Sequence, residues 1–184
     1  MDRKVKGTHV INILDYVEEK KGKIGLEEFL NEVKERSITT KTDFDEKEWV
    51  DYDIVIKLFE TIEDIFGSDL KKVPRSREIG RHITSSLGHL EYLTVAQGLK
   101  ELIEKAENNW DKVYNFGSIE LSEWDEEDGE ASIKYHGFPA NKHVCNYFQG
   151  SLQKDLEMLG LDGEIEHTAC PVEGEDHIEF RLTW

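Results

Sequence analysis

Near residue 116 the apolar residues of this chain change their period. Before that point they recur every three or four positions; after it they mostly alternate. A helix buries a stripe that repeats every 3.6 residues, whereas a strand buries every second side chain. One chain with both patterns in sequence must close a helical part over a sheet. The expected class is therefore α+β, with a single domain over residues 1–184, divided into a helical part (1–115) and an α/β part (116–184).

Val10, Ile13, Leu14 and Val17 mark a first helix, and Leu26, Phe29, Leu30 and Val33 a second that opens after Gly25. Ile54 to Phe66 reads as a third helix, ended by Gly67. Pro74 precedes a fourth, with Ile79, Ile83 and Leu87 on one face. A fifth runs from about His89 to Ala106. Beyond 116, GSIELSEW and EASIKYHG flank the turn Asp125–Gly129 and predict a hairpin. Asn141 can cap a helix carrying Val144, Phe148, Leu152 and Leu156, which Gly160 closes. GEIEHTACPV and DHIEFRLTW predict two further strands. The order β-β-α-β-β implies a four-stranded antiparallel sheet, with one face against its own helix and the N-terminal helices. A cleft between helices and sheet is the natural place for a ligand.

Acidic residues outnumber basic ones 40 to 23, for a formal charge of −17. Such a chain repels phosphate backbones, so nucleic acid is not an expected partner. The basic stretch Lys71–Arg77 with Arg81 reads as a solvated loop and helix start. No run approaches the roughly 18 apolar residues of a membrane span, and the N-terminus lacks the features of a signal peptide. Two cysteines do not make a secreted disulfide framework. The expected location is cytoplasmic, with no membrane partner.

Cys170 and His177 flank a turn containing Gly174, and Cys145 lies on the preceding helix. These three are candidate ligands for zinc or iron, although a closed zinc site takes about four. His167 shares a strand with Cys170 but falls on the opposite face, so one metal reaches both only across a bulge. No CxxC, HExxH, P-loop, GxGxxG or GxSxG is present. His143 and Cys145 stand two apart on a helix and face different ways, which argues against a Cys–His nucleophile. His82 and His89, two turns apart, are candidate axial ligands for a heme, or partly buried core histidines. Tyr92, Trp110, Tyr114, Phe116, Tyr135, Tyr147 and Phe148 supply aromatic surface at the helix-to-sheet junction, suited to a pocket or to an ordinary core.

This arrangement resembles a superfamily that joins heme–nitric-oxide-binding sensor domains, 4-vinyl reductase domains and TRAPP-type transport subunits. Short motifs carry the resemblance: Lys6-Gly-Thr8 before the first helix, Glu78-Ile-Gly-Arg81 at a mid-domain helix, and Asn146-Tyr-Phe-Gln-Gly150 after the first hairpin. Glu166, Cys170, Gly174, His177 and Phe180 are similar to the close of the 4-vinyl reductase domain, with His177 in place of its second cysteine. The resemblance also implies a heme-ligating histidine near Lys105–Glu107 and a Tyr-x-Ser-x-Arg clamp for heme propionates. This chain has no histidine at the first place, and reads Tyr135-His-Gly-Phe-Pro139 at the second. Heme held in the family's usual manner is therefore not expected.

The leading expectation is a non-enzymatic sensory domain. It holds a small apolar ligand or a tetrapyrrole among His89, Tyr92, Trp110, Tyr135 and Phe148. Its implied partner is a kinase, cyclase or chemoreceptor, and a homodimer is a possible assembly. The alternatives are a metalloprotein or tetrapyrrole-related enzyme built on Cys145, Cys170 and His177, and a ligand-free assembly adaptor.

Overall fold

A computed structural model describes residues 2–38, 44–67, 73–85 and 98–184. The first helix, α1 (Thr8–Glu35), is broken at Gly22, whose φ of 69° and ψ of −177° no helix contains. The two arms are the two helices expected from periodicity, with the break three residues ahead of Gly25. Strand β1 (Lys4–Lys6) pairs antiparallel with β2 (Trp49–Asp51). Three residues are too few to show alternation, so this small sheet left no mark in the pattern. Helix α2 (Tyr52–Phe66) ends at Gly67 and α3 (Arg75–Thr84) starts after Pro74, both as expected. Helix α4 spans Leu99–Asn108. The part of the expected fifth helix that covers His89 and Tyr92 lies outside the described residues.

The C-terminal half forms strands β3 (Ser118–Asp125), β4 (Glu130–His136), β5 (Glu164–Ala169) and β6 (His177–Thr183), with helix α5 (Lys142–Met158) between the two hairpins. The sheet order is β3-β4-β6-β5 and every pairing is antiparallel. Asn141 caps α5, its side chain accepting the His143 N–H at 2.8 Å. The inner face of the sheet presents Ile133, Tyr135, Ile178, Phe180 and Leu182 to Val144, Phe148, Leu152 and Leu156 of α5, all buried in one core.

Helix α3 packs along α5 more extensively than any other helix does on its neighbour. Two glycines make that possible. A Cβ at Gly80 would stand 2.0 Å from the Tyr147 carbonyl oxygen, and one at Gly150 would stand 2.0 Å from the Arg77 carbonyl oxygen. The obstacle is backbone in both cases, so no rotamer change relieves it. Thr84 and Ser151 then hydrogen-bond at 2.7 Å, and Arg81 grips Glu157 through two bonds of 2.7 and 2.8 Å. On the other flank Glu78 takes the Tyr16 hydroxyl and Arg75 at 2.8 Å, tying α3 to α1.

Gly80→Ala and Gly150→Ala are each expected to lower stability by about 2 kcal/mol, because forced overpacking outweighs the better helix propensity of alanine. For a domain of this size that is a Tm lower by about 4–8 °C in thermal unfolding. An unchanged Tm in both variants is incompatible with the close crossing.

Candidate ligand-binding site

The seam between helices and sheet holds a cavity of about 340 Å³. Leu102, Ile103 and Ala106 of α4, Ile83 of α3, Ile119 of β3, and Phe148 and Leu152 of α5 give it a mostly apolar wall. Thr8, His9 and Asn12 from α1, Tyr114, Tyr147 and Asp155 place polar atoms in that wall. The elements come from both halves of the chain, so the cavity exists only when the helices close on the sheet.

Its aromatic side is stacked. Tyr135 lies on Phe148 at a centroid distance of 4.0 Å, and Trp110 lies on Tyr114 at 4.6 Å. The Trp110 indole N–H donates to the Phe116 carbonyl at 3.0 Å, which holds the ring in place. The polar side centres on His9, which is 6% exposed. Its Nε2 lies 2.8 Å from the Tyr114 hydroxyl and 3.2 Å from that of Tyr147, while its Nδ1 is buried without a partner among the described residues. Burial pushes the imidazole pKa down to about 4, so the ring is neutral at physiological pH. Burial also pushes the hydroxyls of Tyr114, Tyr135 and Tyr147 up, so these stay protonated. The hydrogen-bonding groups of this triad are thus neutral. Asp155, 4% exposed, is the one carboxylate in the wall among the described residues.

Of the residues expected to form a pocket, Trp110, Tyr135 and Phe148 line this cavity together. His89 and Tyr92 lie outside the described residues. His9 and Asp155 were not foreseen. His9 shares its buried helical face with Ile13 and Tyr16, and a polar residue on an apolar stripe was the available signal. Asp155 carries the same signal between Leu152 and Leu156 on α5.

The expected metal ligands divide differently. Cys145 and Cys170 are buried free thiols with Sγ atoms 3.1 Å apart. The third donor beside them is His167, not His177: one ligand atom from each of Cys145, His167 and Cys170 lies within 4.8 Å of the others. The pairing of β5 with β6 shifts register between His167 and Ala169, and this irregularity brings both side chains to one side. His177 is held elsewhere, its Nδ1 2.6 Å from Asp176 and its ring beside that of His136. Burial and the neighbouring Cys170 push the Cys145 thiol pKa well up, and burial pushes His167 down.

A helical cap closed over a four-stranded antiparallel sheet, with a cavity at the seam, defines the class. Among solved structures this is the fold of the H-NOX domains. An H-NOX protein from S. oneidensis in the Fe(II)NO ligation state superimposes with a TM-score of 0.73 over 96% of this chain and 97% of that one, at 12% identity. An oxygen-binding H-NOX domain related to soluble guanylate cyclases gives 0.70 over 97% and 94%, at 15% identity. A variant of the Tt H-NOX domain gives 0.71 over the same shares, at 17% identity. No protein-family model matches the chain, and no curated protein matches it in sequence. Among the described residues no helix is long and apolar enough to cross a membrane.

The unfolded chain protonates a histidine near pH 6.5, whereas folded His9 takes up its proton only near pH 4. Stability contributed by the neutral ring is full above pH 6.5 and falls as pH drops toward 4. Between pH 7 and pH 5 this loss is about 2 kcal/mol. Urea unfolding at the two pH values is expected to show a decline that shrinks by that amount in His9→Gln. The remaining slope includes the other burial-lowered histidines, His143 and His167.

Proposed function

We propose that this chain is a sensory domain that holds a small, mostly apolar molecule in the cavity between helices and sheet. The observation that carries this reading is the cavity wall itself: continuous apolar surface, stacked aromatics and a neutral His9–Tyr114–Tyr147 cluster. Because α1, α3, α4, α5 and the sheet all border it, occupation shifts the helices against the sheet. That shift is the output a partner kinase, cyclase or chemoreceptor reads. The likeness in fold to the nitric-oxide-ligated and oxygen-complexed H-NOX domains supports a sensory role.

Heme fits the described residues poorly. Two propionates call for cationic partners, and among the described residues no lysine or arginine lines the cavity, whereas the Asp155 carboxylate does. Helix α4 presents Leu102, Ile103 and Ala106, none of them an iron ligand. The reading is therefore a neutral occupant smaller than heme.

Native mass spectrometry of freshly purified protein is expected to show a non-covalent adduct that Ile103→Trp, which fills the cavity, removes. A bare mass together with a higher Tm for Ile103→Trp indicates a packing defect and not a binding site. A Soret band in protein from cells fed a heme precursor, lost in His89→Ala, puts heme in the chain and overturns its exclusion.

A second reading rests on a separate observation, the cluster of Cys145, His167 and Cys170. Two thiolates and an imidazole are a donor set for zinc, with a fourth position left for water or another ligand. Since Cys145 holds its proton tightly, metal uptake releases protons and strengthens as pH rises. One equivalent of zinc is expected to survive dialysis at pH 8 and to be lost in Cys170→Ser. Metal-free protein whose melting zinc leaves unchanged removes this reading.

A further inference from the structure

His136 and His177 face each other on the outer side of the sheet. They are direct cross-strand partners between β4 and β6, and their rings lie 5.7 Å apart at an angle of 35°. Their neighbours in sequence, Tyr135 and Ile178, point into the core, so alternation turns both histidines to the outer face of the sheet, where each is partly buried. Each ring has one nitrogen held by a carboxylate. His136 Nε2 lies 2.9 Å from Glu120 Oε2, and His177 Nδ1 lies 2.6 Å from Asp176 Oδ1. The second nitrogens, Nδ1 of His136 and Nε2 of His177, have no hydrogen-bond partner among the described residues.

These contacts decide the tautomers. A carboxylate accepts, so in each neutral ring the bonded nitrogen carries the proton and donates it. The lone pair is left on the other nitrogen. A carboxylate behind an imidazole also fixes its orientation, the arrangement found behind metal-bound histidines. Two such lone pairs stand on adjacent strands. On one tetrahedral ion with bonds of about 2.0 Å, two nitrogens stand about 3.3 Å apart. Rings with centroids 5.7 Å apart can bring one nitrogen of each to about that separation. Glu120 and Asp176 make the neighbourhood attractive to a cation, as does the charge of −17.

We infer that His136 and His177 form a two-histidine clamp for a divalent late transition ion such as nickel, copper or zinc, with Glu120 and Asp176 as positioning residues and water completing the coordination. Paired imidazoles favour these ions over magnesium or calcium, which take oxygen ligands. The clamp is distinct from the thiol cluster, with which it shares no residue, and it stands whether or not the cavity binds a ligand.

The test is nickel titration of the full chain. Isothermal calorimetry on Cys170→Ser, in which the thiol cluster no longer competes, is expected to give one equivalent bound with sub-millimolar affinity. His136→Ala and His177→Ala should each weaken it at least tenfold, and Glu120→Gln by about tenfold, in line with losing an outer carboxylate. Histidine-ring NMR on wild type provides a readout independent of the variants. Substoichiometric nickel should broaden His136 and His177 together and leave His167 sharp. Affinity unchanged in either alanine variant, binding weaker than millimolar, or broadening that begins at His167 each overturns the proposal.

Discussion

The backbone contact between α3 and α5 is the constraint on which the rest of the domain rests. Gly80 and Gly150 remove the two side chains that would hold the helices apart, and carbonyl oxygens of each helix occupy the space. With the axes this close, short side chains can bond across the seam, as Thr84 and Ser151 do. Any wider spacing lifts α3 away from Ile83's place in the cavity wall. It also parts Arg81 from Glu157 and moves the Glu78 anchor of Tyr16. The height of the cavity is thus set by two residues that contribute no side chain to it.

This accounts for why two short motifs were informative. Glu78-Ile-Gly-Arg81 and Asn146-Tyr-Phe-Gln-Gly150 are far apart in the chain, yet their glycines meet at one crossing, and Glu78, Arg81 and Tyr147 all act beside it. The helices and the β-β-α-β-β order were readable because long amphipathic segments show their period. The sheet of β1 and β2 was not, because each strand has three residues. Trp110, Tyr135 and Phe148 were readable as cavity residues because large aromatics at the junction have few other places to go. His9 was hidden because its neighbours made the helix look like ordinary core. His167 was set aside by strand parity, an argument that a register shift defeats and that sequence periodicity does not reveal.

The cavity wall places neutral hydrogen-bonding groups where charge would be costly. An imidazole left unprotonated to about pH 4 exchanges hydrogen bonds with the protonated Tyr114 and Tyr147 without adding an ion to the cluster. A neutral molecule can replace buried water beside such a wall with little electrostatic penalty. An anion meets the Asp155 carboxylate and gains no cation among the described lining residues. Among the described residues the lining therefore suits a neutral molecule better than an anion.

Helix α5 connects the chemistry in this domain. Cys145 lies on its first turns at the thiol cluster, Tyr147 and Gly150 meet His9 and α3 at its middle, and Asp155 and Glu157 face the cavity and Arg81 near its end. The helix is capped by Asn141 and runs unbroken for 17 residues. A metal that draws Cys145 toward His167 and a ligand that presses on Phe148 therefore act on the same element. Because that element touches α3 backbone to backbone, neither event can tilt it without moving the helical cap.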